Sequence, residues 1–118
     1  MEIIKTNIKD NEWNMDLSYD MFQSPDRQGV KDYEGQQFHT DKYAVYEEEN
    51  ANGNMVRLVT ILTDEGVVMT TNSPSFIRTF SSIAELAEKS NVKHYAFEVV
   101  TAKSRNNREF ITAKYVKD

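Results

Sequence analysis

The fold is decided by residues 73–90, which read Ser-Pro-Ser-Phe-Ile-Arg-Thr-Phe-Ser-Ser-Ile-Ala-Glu-Leu-Ala-Glu-Lys-Ser. Apolar side chains recur here at spacings of three and four residues, as on one face of an α-helix. Ser73 is a good N-cap, and Pro74 suits the first helical position. A capping box from Ser82 to Glu85 also allows two short helices in place of one. We therefore predict that this stretch is helical throughout.

Three strand-like runs precede the helix. They cover residues 38–46, 55–62 and 67–71. Asn52-Gly53 stands between the first two runs, and this pair favours a tight hairpin because both residues tolerate positive φ. A second tight turn at residues 63–66 joins the next two runs. The three runs are therefore predicted to form an antiparallel meander.

Two further strands follow the helix, at residues 94–103 and 109–117, joined by a polar connection at 104–108. A meander, a helix and a hairpin in this order predict a mainly β protein with an OB-fold. That fold is a five-stranded Greek-key barrel with one helix between the third and fourth strands. The same order of elements also fits an open α+β sheet with the helix on one face. We favour the barrel.

The first 35 residues are predicted to be an N-terminal strand and loop extension. Trp13, Met15 and Leu17 alternate with polar residues, which indicates a half-buried strand. The isoleucines within the first eight residues predict another short strand. Residues 18–35 are polar and contain turn residues, so we expect a long loop there. With 118 residues, the whole chain is expected to be one domain.

Charge is unevenly distributed along the chain. The net charge is −5, from 14 Lys and Arg against 19 Asp and Glu. Residues 1–50 hold five basic against twelve acidic residues (−7), residues 51–91 hold three against four (−1), and residues 92–118 hold six against three (+3). An acidic protein binds a polyanion where its basic groups converge on one surface. The C-terminal end is where we expect such a surface.

Composition also indicates the cellular compartment of the protein. The chain has no cysteine, which excludes disulfides, a thiolate nucleophile and a Cys-based zinc site, and agrees with a reducing compartment. No apolar run is long enough to cross a bilayer, and no basic-then-apolar leader opens the sequence. We expect a cytoplasmic protein without a membrane partner.

The sequence offers little for catalysis. His39 and His94 are the only histidines, and neither has a neighbour at metal-ligand spacing. The run at residues 47–49 is three adjacent glutamates, which point to alternate faces of a strand and so do not converge. There is no Gly-rich phosphate loop. We therefore predict no enzymatic activity, no catalytic residue, no metal site and no cofactor.

The C-terminal hairpin carries a surface suited to binding. Glu98 is expected to point outward, which fixes the alternation of both strands. The residues expected inward are Tyr95, Phe97, Val99, Ile111, Ala113 and Tyr115. The residues expected outward are Phe110, Thr112 and Lys114. An aromatic ring and a cation thus share one face, beside a hairpin tip that contains Lys103, Arg105 and Arg108.

Aromatic rings interleaved with cations on a sheet are what single-stranded nucleic acid needs, because bases stack on the rings while cations follow the phosphates. The candidate nucleic-acid-binding residues are Lys42, Tyr46, Arg57, Lys103, Arg105, Arg108, Phe110 and Lys114. Tyr46 and Phe110 would stack bases, and the six cations would neutralise phosphates. Taken singly, each residue also fits ordinary packing or a solvated charge. Their coincidence on one predicted surface is what favours binding.

Three runs carry a resemblance to a known family. Residues 68–80 read Val-Met-Thr-Thr-Asn-Ser-Pro-Ser-Phe-Ile-Arg-Thr-Phe, residues 95–100 read Tyr-Ala-Phe-Glu-Val-Val, and residues 108–112 read Arg-Glu-Phe-Ile-Thr. The chain resembles the small single-stranded DNA-binding proteins of lactococcal and related bacteriophages. The resemblance implies an OB-fold, a homodimer or higher oligomer, and sequence-independent binding of single-stranded DNA. It further implies a role in phage replication and recombination beside a recombinase, in the cytoplasm of the bacterial host.

Two other functions stay open at this point. One is an acidic protein-interaction module, such as a phage inhibitor or assembly factor that does not bind DNA, which the −7 charge of residues 1–50 favours. The other is a nuclease or another enzyme built on acidic residues and a divalent metal. The lack of a spaced Asp, Glu and His constellation speaks against the enzyme.

Overall fold

The computed structural model describes residues 1–117 as a mainly β protein with two α-helices. The strands are β1 (Glu2–Thr6), β2 (Gln28–Gly29), β3 (Gln37–Glu49), β4 (Met55–Thr63), β5 (Val68–Thr71), β6 (Ala96–Lys103) and β7 (Glu109–Val116). The helices are α1 (Met15–Phe22) and α2 (Pro74–Lys89), with short 3-10 turns at Asp10–Glu12 and Val30–Tyr33. Neither helix within these 117 residues is long and apolar enough to cross a bilayer.

The strands form one curled, mixed sheet in the order β2-β5-β4-β3-β6-β7, and β1 pairs with β3. Among the strand pairs within residues 1–117, the short β2–β5 pair alone is parallel, and the other pairs are antiparallel. Strand β4 pairs with one edge of β3. The other edge pairs with β6 at residues 37–39 and with β1 at residues 44–47. Because β3 belongs to both halves of the sheet, it connects them.

The predicted meander and hairpin are confirmed. The meander is β3, β4 and β5, and the hairpin is β6 and β7. In the first turn Gly53 takes a φ of 79°, and in the second turn Gly66 takes a φ of 85°. Both values lie in the left-handed region, which glycine enters without a steric penalty. The Asn-Gly signal therefore marks the turn correctly, through its glycine.

The predicted helix is confirmed as one continuous helix. Ser73 is its N-cap, with a side-chain oxygen that accepts from the N–H of Phe76, and Pro74 is its first residue. The Ser82 hydroxyl donates to the carbonyl of Arg78 at 3.1 Å and so starts no second helix. The helix buries Phe76, Ile77, Phe80, Ala84 and Ala87 against the inner face of the sheet.

Four details of the predicted fold are wrong. Residues 1–117 contain seven strands instead of five and two α-helices instead of one. Because β1 and β2 precede the meander, α2 lies between the fifth and sixth strands of the chain instead of the third and fourth. Residues 18–35 are largely structured, with the end of α1, strand β2 and a 3-10 turn, instead of forming a long loop. The short strand within residues 1–8 is confirmed as β1.

The strand predicted around Trp13 to Leu17 is also wrong, since this segment leads into α1. The side chain of Asn14 caps the helix and accepts from the N–H of Leu17 at 2.8 Å. The alternation of Trp13, Met15 and Leu17 matched the two-residue period of a strand. The residues that face the sheet are instead Leu17 and Met21, which are four positions apart. A helix buries such a pair on one face.

This N-terminal segment covers the outer face of β3 and β4. The residues in this second apolar cluster are Ile8, Met21, Ala44 and Tyr46, with Trp13, Leu17, Phe22, Leu58 and Leu62 packed against them. On β3, Tyr43 and Val45 point to the inner core, whereas Ala44 and Tyr46 point to the outer cluster. The middle of β3 is therefore buried on both faces.

Candidate nucleic-acid interface

The β6–β7 hairpin alternates as predicted over most of its length. Phe97 and Val99 are fully buried, and Ile111 and Ala113 face them from the next strand, each 8% exposed. The prediction that Tyr115 points into the core is wrong, because this ring is 46% exposed. By Tyr115 the strand has passed the main core, and the ring lines a shallow apolar cleft at the end of α2.

Phe110 lies on the opposite face of the hairpin and is 37% exposed. Directly across from it stands Ala102, and the next pair on this face is Val100 with Thr112. Small or β-branched neighbours leave one side of the aromatic ring open. The outer face of the hairpin is thus a narrow apolar strip around one accessible ring.

Four cations lie on the same hairpin as this strip. They are Lys103, Arg105, Arg108 and Lys114, all exposed. Within residues 1–117, none of these side chains has a carboxylate oxygen within 4.0 Å of its nitrogen atoms. Residues 101–117 contain five Lys and Arg against one Glu. The hairpin therefore carries uncompensated positive charge.

Two carboxylates stand opposite these cations in the register of the hairpin, and each of them contacts a residue outside the hairpin. Glu109 faces Lys103 across the hairpin but lies 3.8 Å from the Nζ of Lys31. Glu98 faces Lys114, and its Oε1 accepts from the Nε2 of Gln37 at 3.0 Å. These contacts leave the ammonium groups of the hairpin available to a phosphate.

The hairpin tip is ordered by backbone contacts. The Ser104 N–H donates to the carbonyl of Arg108 at 2.8 Å, and the Asn107 N–H donates to the carbonyl of Ser104 at 2.9 Å. Asn107 takes a φ of 60°, in the left-handed region that Asn tolerates. The tip therefore presents Arg105 and Arg108 from a defined turn.

The structure removes Tyr46 from the predicted surface. Its ring is fully buried and lies 4.8 Å from the ring of Phe22 in an edge-to-face contact. Its hydroxyl is 2.9 Å from the Thr60 hydroxyl and accepts from the Nη1 of Arg27 at 3.3 Å. Tyr46 points to the outer face of β3, but α1 packs over that face, so no base has access to the ring.

Lys42 and Arg57 also lie apart from the hairpin. The Nζ of Lys42 is half-buried and 3.1 Å from Asp41 Oδ2, and the guanidinium of Arg57 is 3.3 Å from Glu47 Oε2. A carboxylate thus compensates each cation. Of the eight candidate residues, the structure brings together the five on the β6–β7 hairpin.

Sequence spacing missed one cluster of potential metal ligands. Asp41, Asp64 and His94 each place a donor atom within 4.8 Å of the others. They come from β3, the β4–β5 turn and the loop before β6. The only sequence signal was the predicted meander, which brings that turn beside the start of β3. The Nδ1 of His94 is 3.1 Å from Asp64 Oδ2, and Lys42 contacts Asp41, so contacts within the chain account for this cluster.

A neighbouring pair joins His39 to Glu65 at the surface. The Nδ1 of His39 is 2.9 Å from Glu65 Oε2, and its backbone N–H donates to Oε1 of the same carboxylate. Desolvation acts to raise the pKa of Glu65, but the hydrogen bonds from His39 outweigh it and hold this pKa below its ordinary value. The pair ties the β4–β5 turn to β3.

Two buried tyrosines line a cleft of about 550 Å³ beside the Asp41 cluster. Burial, together with the negative charge of Glu88, raises the pKa of Tyr43 far above its ordinary range, and the Tyr43 hydroxyl donates to Glu88 at 3.2 Å. Burial raises the pKa of Tyr95 to about 12, although the Thr40 hydroxyl partly offsets this effect. Both phenols therefore keep their proton at neutral pH.

Comparisons of the chain with protein-family models, with curated proteins and with solved structures found no match.

Proposed function

We propose that this protein binds single-stranded DNA without sequence preference, on the outer face of the β6–β7 hairpin, and has no enzymatic activity. The observation that carries the proposal is the accessible ring of Phe110 on a hairpin whose four exposed cations have no carboxylate partner within residues 1–117. In a chain with a net charge of −5, such a concentration of positive charge on one hairpin favours a polyanionic ligand.

The binding mode follows from the chemistry of this face. A base stacks on the ring of Phe110, where the small side chain of Ala102 leaves room for it. This stacking contributes about 1–3 kcal/mol to the binding free energy. Lys114 lies at one end of the strip, and Lys103, Arg105 and Arg108 lie at the other, so the phosphates on both sides of the stacked base meet cations. Every base has a π-face, and the cations contact only phosphate, so this mode discriminates little between sequences.

Duplex DNA fits the surface less well. In a duplex the bases stack on one another, so the ring of Phe110 gains no base to stack on. The charge outside the hairpin is predominantly negative, with −7 in residues 1–50, and would repel a second strand. We therefore expect a preference for single strands.

We propose that the core of the fold is an OB-fold to which β1, α1 and β2 are added. Strands β3 to β7 lie in the order β5-β4-β3-β6-β7, with β3 shared between the two halves of the sheet. Within these five strands α2 connects the third to the fourth. This order and connection support a Greek-key barrel, the architecture in which many oligonucleotide-binding domains occur.

The biological setting rests on the resemblance to phage single-stranded DNA-binding proteins. In that setting the protein is a homodimer that protects single strands during phage replication and recombination in the cytoplasm of the bacterial host. A recombinase or another replication protein is its partner. A dimer would place two hairpin faces on one strand and lengthen the occluded site.

The test is fluorescence anisotropy of labelled oligo-dT, a mixed-sequence single strand, a duplex and RNA over a salt series. We expect similar affinity for both DNA single strands, weaker binding of the duplex, and a steep loss of affinity with salt. The measurement with RNA shows whether the 2′-hydroxyl of the sugar changes the affinity. Absence of binding to either DNA single strand at low salt would refute the proposal.

A second candidate is a protein-interaction module that does not bind DNA. The −7 charge of residues 1–50 favours it, since such a charge suits a basic protein surface or the mimicry of nucleic acid. The same anisotropy experiment separates the two functions, because this candidate predicts no binding to any of the oligonucleotides.

A further inference from the structure

An apolar groove lies between α1 and β1, at the end of β3 where β1 pairs. We call it the α1 groove. Its apolar lining consists of Met1, Ile3, Trp13, Met15, Tyr19 and Phe22, and it encloses about 520 Å³. Met15 is 88% exposed and Tyr19 is 49% exposed. Large apolar side chains that are concentrated at one place on the surface indicate an interaction site.

The apolar stripe is a property of α1 itself. Leu17 and Met21 face the sheet, which directs Met15 and Tyr19 away from it. Met15, Tyr19 and Phe22 follow one another at spacings of four and three residues, so they form a continuous row along the helix. Methionine is flexible and polarisable, which suits a surface that must adapt to the side chains of a partner.

The charge around the α1 groove is negative. Residues 10–26 contain five carboxylates and no Lys or Arg. Asp16 and Asp20 flank the exposed row, and Glu48 lines the groove. None of these three carboxylates has a cationic nitrogen within 4.0 Å in the described part of the chain. The groove is thus apolar in its floor and acidic at its margin.

We propose that the α1 groove docks a basic amphipathic helix of another protein. Apolar side chains at three- and four-residue spacing would enter the groove, and Lys or Arg on the flanks would meet Asp16, Asp20 and Glu48. The acidic margin repels nucleic acid and anionic lipid. It also disfavours a symmetric dimer through this groove, because two copies would bring their carboxylates together.

The α1 groove and the basic hairpin lie at opposite ends of the pairing along β3, since β6 pairs with residues 37–39 and β1 with residues 44–47. A partner helix in the groove therefore leaves the outer face of the hairpin open. The inference does not depend on DNA binding, and its failure would leave that proposal intact.

Trp13 supplies the measurement. It is the only tryptophan of the chain, lines the groove, and stacks on Phe22 with ring centroids 5.5 Å apart. The probe is a synthetic amphipathic peptide of leucine and lysine of about 18 residues, long enough to form a helix. The matched control peptide has glutamate in place of lysine. Both peptides are titrated into the full-length protein while the emission of Trp13 is recorded.

We expect a saturable shift of Trp13 emission with the lysine peptide and none with the glutamate peptide. The double variant Met15→Ser, Tyr19→Ser weakens binding of the lysine peptide at least about tenfold, and Asp16→Asn with Asp20→Asn weakens it in a salt-dependent manner. Met55→Ser is the control, because Met55 is 61% exposed on β4, outside the groove.

Three results would overturn the proposal. The first is the absence of binding, and the second is equal binding of both peptides. The third is concentration-dependent self-association, measured by sedimentation, that Met15→Ser, Tyr19→Ser abolishes, since the occupant would then be a second copy of this chain. Circular dichroism of each variant verifies that α1 and the sheet are intact. We expect the variants to fold, because the substituted side chains are exposed.

Discussion

The side-chain oxygen of Thr79 on α2 accepts a hydrogen bond from the backbone N–H of Ala113 on β7, at 2.8 Å. One helical turn earlier, the hydroxyl of Ser75 donates to the carbonyl of Ile111 at 2.6 Å. These two backbone groups are on the edge of β7 that faces away from β6. Side chains in the first turns of α2 thus provide hydrogen-bond partners for two backbone groups at the edge of the sheet. Without a partner, such a buried backbone group would lower the stability of the fold.

Replacing Thr79 with valine tests this edge contact. The variant keeps the shape of the side chain but leaves the N–H of Ala113 without its acceptor, so we expect the free energy of unfolding to fall by about 1–3 kcal/mol. Urea denaturation followed by circular dichroism measures it. Ser82→Ala is the control, because Ser82 is exposed and its hydroxyl donates to the carbonyl of Arg78 in its own helix. Equal losses in both variants would show that the contact with β7 contributes nothing.

Phe110→Ala is expected to weaken binding of single-stranded DNA by about 1–3 kcal/mol, or roughly 5- to 150-fold, because a stacking ring is lost. The melting temperature changes little, since the ring is 37% exposed. Tyr115→Ala is the matched control on the opposite face of the same strand and keeps full affinity. Unchanged affinity of Phe110→Ala would remove this ring from the site, whereas a collapsed melting transition would make it part of the core.

The double variant Arg105→Ala, Arg108→Ala is expected to flatten the dependence of affinity on salt. Each lost phosphate contact on a single strand lowers the slope of log K against log salt by about 0.7. Arg57→Ala is the comparison, because its guanidinium is already paired with Glu47 at 3.3 Å. A larger change in slope for Arg57→Ala than for the double variant would move the DNA path onto β4.

Alkaline pH is expected to destabilise the fold through its buried tyrosines. The pKa of Tyr95 is raised from 10.0 to about 12, first by burial. Between these values the unfolded chain has lost the phenolic proton and the folded protein keeps it, so the free energy of unfolding falls as pH rises from 10 toward 12. Tyr95→Phe removes this contribution.

Urea denaturation at several pH values between 9 and 12, on the wild type and on Tyr95→Phe, provides the measurement. The variant should show a shallower loss of stability with pH, and the remaining loss is attributed to Tyr43, whose pKa is raised in the same direction. Identical slopes would mean that Tyr95 titrates alike in the folded and unfolded chains.

Local sequence determined α2, the strands β3 to β7 and their turns. Ser73 and Pro74 mark the start of α2, Gly53 and Gly66 mark two turns, and strict alternation around Phe97 assigns the faces of the hairpin. These signals act within a few residues, because capping, left-handed φ angles and side-chain period depend on the local backbone. The outward direction of Phe110 and Lys114 was predictable for the same reason.

Only the tertiary structure decided which predicted surfaces stay exposed. Tyr46 points to the outer face of β3, where α1 packs over it. Three alternating residues at Trp13 to Leu17 did not distinguish that helix from a strand. The pairing of Lys42 with Asp41, and the approach of Asp64 to His94, likewise depend on the register and on the β4–β5 turn. Burial and charge compensation are set by segments distant in sequence, so a local pattern specifies the direction of a side chain but not what covers or neutralises it.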